Sequence, residues 1–379
     1  MGLVFWIAAA LVLYAYLGYP ILITVMARLW PAPAVSKQDV TPALSLLIIV
    51  HNEEAYLEDK LRNALALDYP KHKLEILVVS DGSTDGTEAI AVSFAAAGVR
   101  LLCLAGPRGK AACLNEAVPR ASGDFVVFTD ARQPLAPDAV RHLVGYFADP
   151  SVGAVGGELH LLTPAGVPTE GVALYWRYEK LIRRAESRFD STVGVTGALY
   201  ALRRDLFVPL DPRTILDDVA LPMEVVLAGH RVLFAPEARA WDRMAESPAR
   251  EFQRKVRTLA GNFQLLALRP VLLHPVRDRL LWQLLSHKVL RLAVPWCLLV
   301  LFLASAQLSF SGSAFYRLAF GAQVLFYLLA AAGGRKARAR SPLRLTLLPY
   351  TLALLNLAAA RGLVGFLRGT ETAVWKSSS

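Results

Sequence analysis

The chain has long apolar stretches at its two ends and a mixed, charged middle. The first stretch covers residues 2–30 with no charged residue before Arg28, and it is long enough to cross a hydrocarbon core of about 30 Å. Three further apolar stretches, at 289–310, 316–334 and 345–367, lie towards the other end. This pattern predicts a soluble domain held between a membrane anchor and a C-terminal membrane region.

The alternative for the first stretch is a cleaved signal peptide, because residues 32–34 weakly resemble a cleavage site. A charged N-terminal region is missing, however, and the stretch exceeds the usual apolar core of about 7–15 residues. Arg28 and Lys37 follow this anchor, so the positive-inside tendency places the middle of the chain in the cytoplasm. The basic loop at 335–344 is expected on the same side. Because Arg361 interrupts the last stretch, the side of the tail stays open.

The formal net charge of +10 is compatible with two kinds of partner, nucleic acid and an acidic membrane surface. Lysines and arginines crowd residues 250–291, and the segment at 277–293 is amphipathic, which favours interfacial helices on acidic lipid. No RNA-binding signature is present, so nucleic acid is not an expected partner. The three cysteines lack the spacing of a metal site or a disulfide framework.

In the middle of the chain, apolar runs of strand length alternate with segments of helical spacing. The runs at 43–50, 74–80, 99–104 and 124–130 are nearly continuous in apolar residues, which is typical of strands buried on both faces. This alternation predicts an α/β domain with a mainly parallel, doubly wound sheet. Ligands bind such sheets beyond the carboxyl ends of the strands.

A polar cluster follows each of these four strands. The clusters are HNEE at 51–54, SDGSTDGT at 80–87, GPRGKAACLN at 106–115 and TDAR at 129–132. None matches the dinucleotide fingerprint or the Walker loop, which disfavours dehydrogenase and ATPase chemistry. Four clusters at successive strand ends instead favour a different kind of ligand site.

Two residues in these clusters have a specific expected chemistry. Asp81 is placed to accept hydrogen bonds from a base or ribose, and Lys110 follows a glycine-containing turn at a helix start, where phosphate binds. The alternatives are structural. Ser83 or Asp85 can cap a helix, and Lys110 can be a surface charge.

Asp130 and Arg132 stand two residues apart at the end of the fourth strand. If the chain stays extended there, both side chains point to the same side. The pair is interpreted as part of a ligand site at the carboxyl end of this strand. The alternative is a structural ion pair without a ligand role.

These clusters, together with TGALYALRR at 196–204, ILDD at 215–218 and RKVR at 254–257, resemble the motifs of the family 2 inverting glycosyltransferases with a GT-A fold. That superfamily includes the cellulose, chitin, hyaluronan and poly-N-acetylglucosamine synthases. The resemblance covers residues 44–263 and continues in the arrangement of the apolar stretches. It implies a Rossmann-like GT-A domain that uses a UDP-sugar donor.

The resemblance also implies roles for single residues. Asp218 matches the acid that closes the family's E-D or D-D pair and is expected to be the catalytic base, while Gly197 and Asp217 are expected on the acceptor side. Asp130 matches the first acid of the D-x-D motif and is expected to hold Mg²⁺ or Mn²⁺. The residues expected to bind the UDP-sugar are His51, Asn52, Glu53, Asp81, Lys110, Asp130, Arg132, Arg254 and Arg257.

The chemistry of transfer requires the same kinds of groups. A nucleotide-sugar carries a good leaving group, so positive charge on the diphosphate and one base for the acceptor hydroxyl suffice. Direct attack with a single base inverts the anomeric centre and gives a β-product from an α-linked donor. The alternative for Asp217 and Asp218 is that these carboxylates are helix caps.

Two departures from the family pattern limit the resemblance. Processive synthases carry Q-x-x-R-W, whereas this chain has Arg254 to Thr258 with no tryptophan, so an aromatic platform for an acceptor sugar is missing. Arg132 stands where the second acid of D-x-D belongs. Magnesium commonly uses one or two carboxylates plus phosphates and water, so Asp130 alone can serve.

The sequence thus predicts a multi-pass protein of a bacterial-type inner membrane with a cytoplasmic catalytic domain. Its expected partners are a UDP-sugar, a glycan or lipid acceptor, the bilayer and export-complex subunits. The alternatives are a non-processive lipid glycosyltransferase and a catalytically inactive, nucleotide-binding subunit. The expected segments are an anchor at 1–35, a GT-A domain at 36–250, interfacial helices at 251–288, a membrane region of about three helices at 289–367 and a tail at 368–379.

Overall fold

A computed structural model of the protein describes residues 1–162, 170–243, 248–338 and 344–374. Within these ranges the chain forms one seven-stranded sheet. The strands are β1 Leu44–Val50, β2 Leu74–Asp81, β3 Val99–Leu104, β4 Phe125–Asp130, β5 Val152–Leu162, β6 Tyr200–Arg203 and β7 Arg231–Arg243. The four predicted strands are therefore present, with ends within about two residues of those expected.

The strand order is β3-β2-β1-β4-β6-β5-β7. Strands β1 to β4 pair in parallel, as does β5 with β7, whereas β6 runs antiparallel to both of its neighbours. The prediction of a mainly parallel α/β sheet is confirmed, and β6 makes the sheet mixed. Because β1, β2 and β4 point the same way, the polar clusters that follow them meet at one edge.

The helices cover the sheet and extend beyond it. They are α1 Gly2–Leu13, α2 Tyr19–Leu29, α3 Glu54–Leu65, α4 Thr87–Ser93, α5 Lys110–Ala117, α6 Ala139–Val144, α7 Glu170–Phe189, α8 Asp217–Leu227, α9 Pro248–Leu268, α10 Leu281–Leu284, α11 Leu290–Ser309, α12 Ala314–Arg338 and α13 Arg344–Arg368. A π-helical turn, Tyr14–Gly18, joins α1 to α2, and another, Leu285–Val289, joins α10 to α11.

The core lies on both faces of the sheet. Every residue of β1 is buried, and its alternate side chains enter two separate apolar clusters. One cluster includes residues of α3 and α6, and the other includes residues of α5 and α8. Burial on two faces explains why β1 is a continuous apolar run rather than an alternating one.

Four helical segments are long and apolar enough to cross a membrane, which is consistent with membrane association. They are Gly2–Leu29, Leu281–Ser309, Ala314–Arg335 and Leu345–Arg368. The second begins eight residues earlier than the sequence pattern indicated. Residues 281–288 were expected in the interfacial helices at 251–288, but Gln283, Ser286 and His287 are buried. His287 lies between Glu186 (2.8 Å) and Glu179 (3.1 Å) of α7, so this segment packs against α7.

The C-terminal tail returns to α9. Gly369 takes a left-handed conformation (φ 64°) that ends α13, and the amide of Thr370 donates to the carbonyl of Gly365. Arg257 of α9 then donates to the carbonyls of Thr372 and Ala373, at 3.4 Å each. The described part of the tail therefore lies on the same side as α9.

This contact bears on how many of the last three apolar helices cross a bilayer. Three crossings after α9 would place the tail on the opposite side, so an even number is required. Helix α13 packs along α9, where the rings of Phe366 and Phe263 stack at 6.1 Å. We therefore expect α11 and α12 to form a crossing hairpin and α13 to stay on the catalytic side. Residues 339–343, half of the basic loop at 335–344 that was expected to be cytoplasmic, lie outside the described residues.

Cysteine labelling tests this arrangement. Cys103 is exposed on the catalytic domain and serves as an internal reference. In a Cys103→Ser background, Thr370→Cys should react with a membrane-impermeant maleimide in the same vesicle orientation that labels wild-type Cys103. Ser311→Cys, in the turn between α11 and α12, should react only in the opposite orientation. Reaction of the Thr370→Cys and Ser311→Cys variants in the same vesicle orientation would contradict the two-crossing arrangement.

Candidate active site

The loops after β1 and β2 are fastened to each other at the carboxyl edge of the sheet. Asn52 adopts a left-handed backbone (φ 54°), a conformation in which asparagine is enriched, and its side-chain oxygen accepts the amide of Thr84 at 2.8 Å. The ring Nδ1 of His51 lies 2.8 Å from the carbonyl oxygen of Asp81. The first predicted cluster therefore positions the second one.

The expected capping role of Asp85 is also present. Its carboxylate accepts the amide of Thr87, the first residue of α4, at 3.0 Å, and the amide of Glu54 at 3.2 Å. Ser83 has a different role, since its hydroxyl accepts the amide of Asn52 at 3.1 Å. These residues build the loops on which the site stands.

Asp81 is completely buried and holds the loop that precedes α5. Its two carboxylate oxygens accept the amides of Arg108 and Gly109, each at 2.8 Å. Gly109 has a φ of 91°, which favours glycine, and the carbonyl oxygen of Ala373 lies only 2.9 Å from where its Cβ would be. The Asp81 carboxylate is thus used to shape this loop, and contact with a nucleotide stays a prediction.

Lys110, from the third cluster, contacts both the fourth cluster and the start of α8. Its ammonium lies 2.9 Å from Asp130 at the end of β4 and 3.6 Å from Asp217 at the start of α8. Burial alone would lower the pKa of Lys110, but the carboxylates of Asp130 and Asp217 outweigh it and raise the pKa. The structural alternative of a free surface charge is therefore wrong.

The chain does not stay extended from Asp130 to Arg132, so the condition behind the expected pairing of their side chains is not met. Strand β4 ends at Asp130 and the next two residues form a turn. Arg132 is exposed, and Asp130 pairs with Lys110 rather than with Arg132. Arg132 still contributes to the site, because its charge partly offsets the rise in the pKa of Glu53 that burial causes.

A buried lysine supports the turn that carries these two residues. The ammonium of Lys60, on α3, donates to the hydroxyl of Thr129 at 2.8 Å and to the carbonyl of Gln133 at 2.6 Å. Lys60 is only 2% exposed. Burial lowers its pKa to about 7, although the charge of Asp130 acts in the opposite direction.

Asp217 and Asp218 open helix α8 and differ in their surroundings. Asp217 is buried and accepts the hydroxyl of Tyr200 at 3.0 Å. Asp218 is half-buried, and its carboxylate accepts the amide of Gly197 at 3.1 Å. Neither side chain caps α8, so the capping alternative is wrong. Burial and the neighbouring charge of Asp217 raise the pKa of Asp218 to about 6, with Lys110 acting to lower it.

The two arginines of α9 that were predicted to bind the donor are already engaged. Arg254 lies 3.0 Å from Glu251 and 3.5 Å from Asp242, and Arg257 donates to the tail carbonyls described above. Thr258, where processive synthases have a tryptophan, turns its hydroxyl back to the carbonyl of Arg254 at 2.9 Å. It offers no surface on which a sugar ring can stack.

A divalent cation would find only part of its ligand set here. No group of three or more His, Cys, Asp or Glu side chains within the described ranges is arranged to hold a metal. Asp130 is 40% exposed, and Lys110 occupies one of its two oxygens. A single exposed carboxylate fits a cation that takes its remaining ligands from substrate phosphates and water, as magnesium does.

Comparison with known proteins decides the family. The family described as glycosyltransferase like family 2 matches residues 42–261, more than half of the chain. The chain belongs to this family. The match includes the sheet and every predicted site residue.

Individual relatives agree with the family. Over 236 residues the chain is 27% identical to the probable glycosyltransferase YdaM of Bacillus subtilis, covering 58% of this chain and 55% of YdaM. It is also 27% identical over 236 residues to a poly-beta-1,6-N-acetyl-D-glucosamine synthase of Staphylococcus aureus, covering 60% and 56% respectively. The chain thus spans little more than half the length of these curated relatives.

A solved structure extends the likeness to nearly the whole chain. The mannosyltransferase PcManGT of Pyrobaculum calidifontis, solved in complex with GDP-Man and Mn²⁺, is 26% identical with a TM-score of 0.71. The alignment covers 97% of this chain and 100% of PcManGT. The GT-A fold expected from the motifs is therefore confirmed.

Two residues of this glycosyltransferase site were not found from the sequence. Tyr200 lies inside the motif at 196–204, but nothing in the pattern showed that its hydroxyl reaches Asp217. Lys60 sits on an ordinary helical face, where a lysine is normally solvated. The signal for Lys60 was its position among Leu57, Leu61 and Ala64, which are all fully buried.

The pKa of Lys60 predicts a pH effect on stability. Its pKa is about 7 in the folded glycosyltransferase against an ordinary value of 10.5, so the unfolded chain binds more protons between these limits. Stability from this group therefore rises with pH across that window, by up to about 1.4 kcal/mol per pH unit. In Lys60→Met the difference from wild type should shrink or reverse as the pH falls from 10 to 7. Thermal unfolding of the full chain in detergent, with exposed Lys73→Met as the control, measures this. A pH-independent difference between Lys60→Met and wild type would contradict it.

Proposed function

We propose that the protein is a membrane-bound inverting glycosyltransferase that transfers a sugar from a UDP-sugar to a glycan or lipid acceptor and forms a β-glycosidic bond. The observation that carries this proposal is the placement of Asp218. It is a half-buried carboxylate with a raised pKa, next to a cation that bridges two other acids. A base with a pKa of about 6 is ionised at neutral pH and can accept a proton from an acceptor hydroxyl.

The donor is proposed to lie between the first three clusters and Asp130. Asn52 and Asp81 shape the loops, while Lys110 and exposed Arg132 supply positive charge for the diphosphate. Arg254 and Arg257 of α9 would add to this charge once their present partners are exchanged for phosphate oxygens. PcManGT was solved with GDP-Man, so the uracil assignment is the part of the proposal that a donor panel must test.

A divalent cation is proposed to complete the donor site. Asp130 would hold it, with diphosphate oxygens and water as the other ligands. When bound, such an ion neutralises charge on the leaving nucleotide. The Mn²⁺ in PcManGT supports this proposal for the family.

The acceptor is proposed to approach from the side of Gly197 and Asp217. The relationship to a poly-beta-1,6-N-acetyl-D-glucosamine synthase supports a glycan acceptor. The lack of an aromatic side chain at Thr258 supports a single transfer, to a lipid for example. Export-complex subunits are proposed as partners, and the catalytic domain is proposed to face the cytoplasm of a bacterial-type inner membrane.

The rival proposal is a catalytically inactive, nucleotide-binding subunit. A binding module needs a donor site but has no need for a carboxylate with a raised pKa beyond it. The acidic pair is also costly, because burial and mutual repulsion both disfavour its charge. The presence of Asp218 in this setting therefore favours an active enzyme.

The catalytic base is tested by Asp218→Asn. The variant keeps the size and the bond from the Gly197 amide but cannot accept a proton, so transfer should fall by about 10²–10⁴ while donor affinity is retained. The wild-type rate should rise with pH through about 6, as Asp218 ionises. Both are measured on purified protein in lipid with a panel of UDP-sugars and GDP-mannose. Asp217→Asn is the matched control, and a wild-type rate in Asp218→Asn would overturn the assignment.

The diphosphate contact is tested by Arg132→Ala. Loss of a charge-assisted contact should weaken donor binding by about 1.5–3 kcal/mol, with divalent-ion dependence unchanged. Asp130→Asn should instead remove the response to magnesium or manganese. Calorimetric titration with UDP and with GDP, with and without metal, separates the two effects. Exposed Arg62→Ala is the control, and unchanged nucleotide affinity in folded Arg132→Ala would exclude a phosphate role.

A further inference from the structure

A second cavity lies away from the acidic pair, between the end of the first apolar helix and α7. Its volume is about 550 Å³. Helix α2 contributes Thr24, Ala27 and Arg28, strand β5 contributes Glu158, and the rest comes from α7. None of the predicted donor or acceptor residues lines it.

The lining of this cavity is strongly cationic. Arg28 is joined by four residues at helical spacing on one face of α7, which are Arg177, Lys180, Arg184 and Arg188. Five cations thus face one carboxylate, that of Glu158.

Glu158 neutralises only part of this charge. It pairs with Lys180 at 2.6 Å and with Arg184 at 3.1 Å. Arg28, Arg177 and Arg188 have no ion pair with any side chain in the described part of the chain. Like charges held together without a counter-charge repel one another, so this arrangement favours an anionic ligand.

The cavity adjoins a surface suited to acyl chains. Three apolar side chains at the end of the first apolar helix are exposed: Val25 (42%), Leu29 (61%) and Trp30 (65%). Tryptophan is enriched at the boundary between hydrocarbon and headgroups, and Trp30 lies two residues after Arg28. The cationic face of α7 is therefore placed at the level of the headgroups.

We propose that this cavity, the α2–α7 groove, binds the phosphate-bearing headgroup of an anionic phospholipid. The phosphate lies against Arg28, Arg177 and Arg188, and the acyl chains lie along the exposed side chains of α2. Arginine suits this task because its planar fork binds phosphate through two hydrogen bonds at once. The proposal goes beyond sugar transfer, and it depends on membrane association but not on the identity of donor or acceptor.

A soluble anion is the other source of the same chemistry. A free phosphate would use the arginines but would leave Leu29 and Trp30 exposed to water. A lipid occupies both surfaces at once, so the adjacent apolar patch favours the lipid.

The test is lipid retention by the full-length protein. Native mass spectrometry in detergent, with added phosphatidylglycerol or phosphatidylcholine, should show a clear preference for the anionic lipid. Each basic residue near a membrane surface contributes roughly five-fold in affinity, so the double variant Arg177→Gln/Arg188→Gln should lose about 30-fold for phosphatidylglycerol. Its affinity for phosphatidylcholine should not change.

The matched control removes two arginines far from the groove. Arg62→Gln/Arg120→Gln changes the net charge equally at two exposed i,i+4 surface pairs, and it should keep the preference. Arg177→Lys/Arg188→Lys keeps the charge but loses the two-bond contact, so it should bind phosphatidylglycerol more weakly than wild type and more tightly than the Gln variant. This order of affinities separates loss of charge from misfolding.

Two results would overturn the proposal. One is equal retention of the two lipids by the wild-type protein. The other is displacement of phosphatidylglycerol by micromolar inorganic pyrophosphate, which would show a site for a soluble anion instead.

Discussion

The rest of the site depends on the two ion pairs that the ammonium of Lys110 forms with Asp130 and Asp217. This ammonium draws Asp130, from the end of β4, and Asp217, from the start of α8, to within 4 Å of one positive charge. These two elements are far apart in the sequence, and without the cation their carboxylates would repel each other in a partly dry crevice. Lys110 itself is held by its place at the start of α5, directly after the loop that Asp81 fastens. One buried carboxylate therefore shapes the loop, and the loop places the lysine.

This arrangement gives the adjacent residues Asp217 and Asp218 different surroundings. Asp217 is tied to Lys110 and Tyr200, so its charge is compensated. Asp218 receives one backbone hydrogen bond and remains half-buried beside that charge. Its pKa is therefore raised by burial and by Asp217, while its partner carries the structural contacts. A half-buried carboxylate with a raised pKa beside a charged neighbour is a candidate for acid–base chemistry.

The sequence predicted the architecture well because its signals are local. Continuous apolar runs mark strands buried on two faces, and polar clusters after them mark the ligand edge. The detailed geometry of the site could not be predicted from local sequence patterns. The position of the Arg132 side chain depends on the backbone conformation after Asp130. The turn there is held by the buried ammonium of Lys60 on α3, which donates to Thr129 and Gln133. A contact between residues 73 positions apart leaves no local pattern. The burial of His287 was missed for the same reason, since its partners Glu179 and Glu186 lie on α7.

If Arg257 binds the donor as proposed, the tail and the donor compete for its guanidinium. Arg257 donates to two neutral carbonyls of the tail at 3.4 Å, which are long and therefore weak hydrogen bonds. A diphosphate offers charged oxygens, and hydrogen bonds to charged groups are roughly twice as strong. If Arg257 holds the donor as proposed, phosphate displaces the tail, and the carbonyl of Ala373 then leaves Gly109 as well. Because that carbonyl lies against Gly109 in the loop that carries Lys110, release of the tail uncovers the part of the site where positive charge is concentrated. Docking of the tail and binding of the donor are then mutually exclusive states of one arginine.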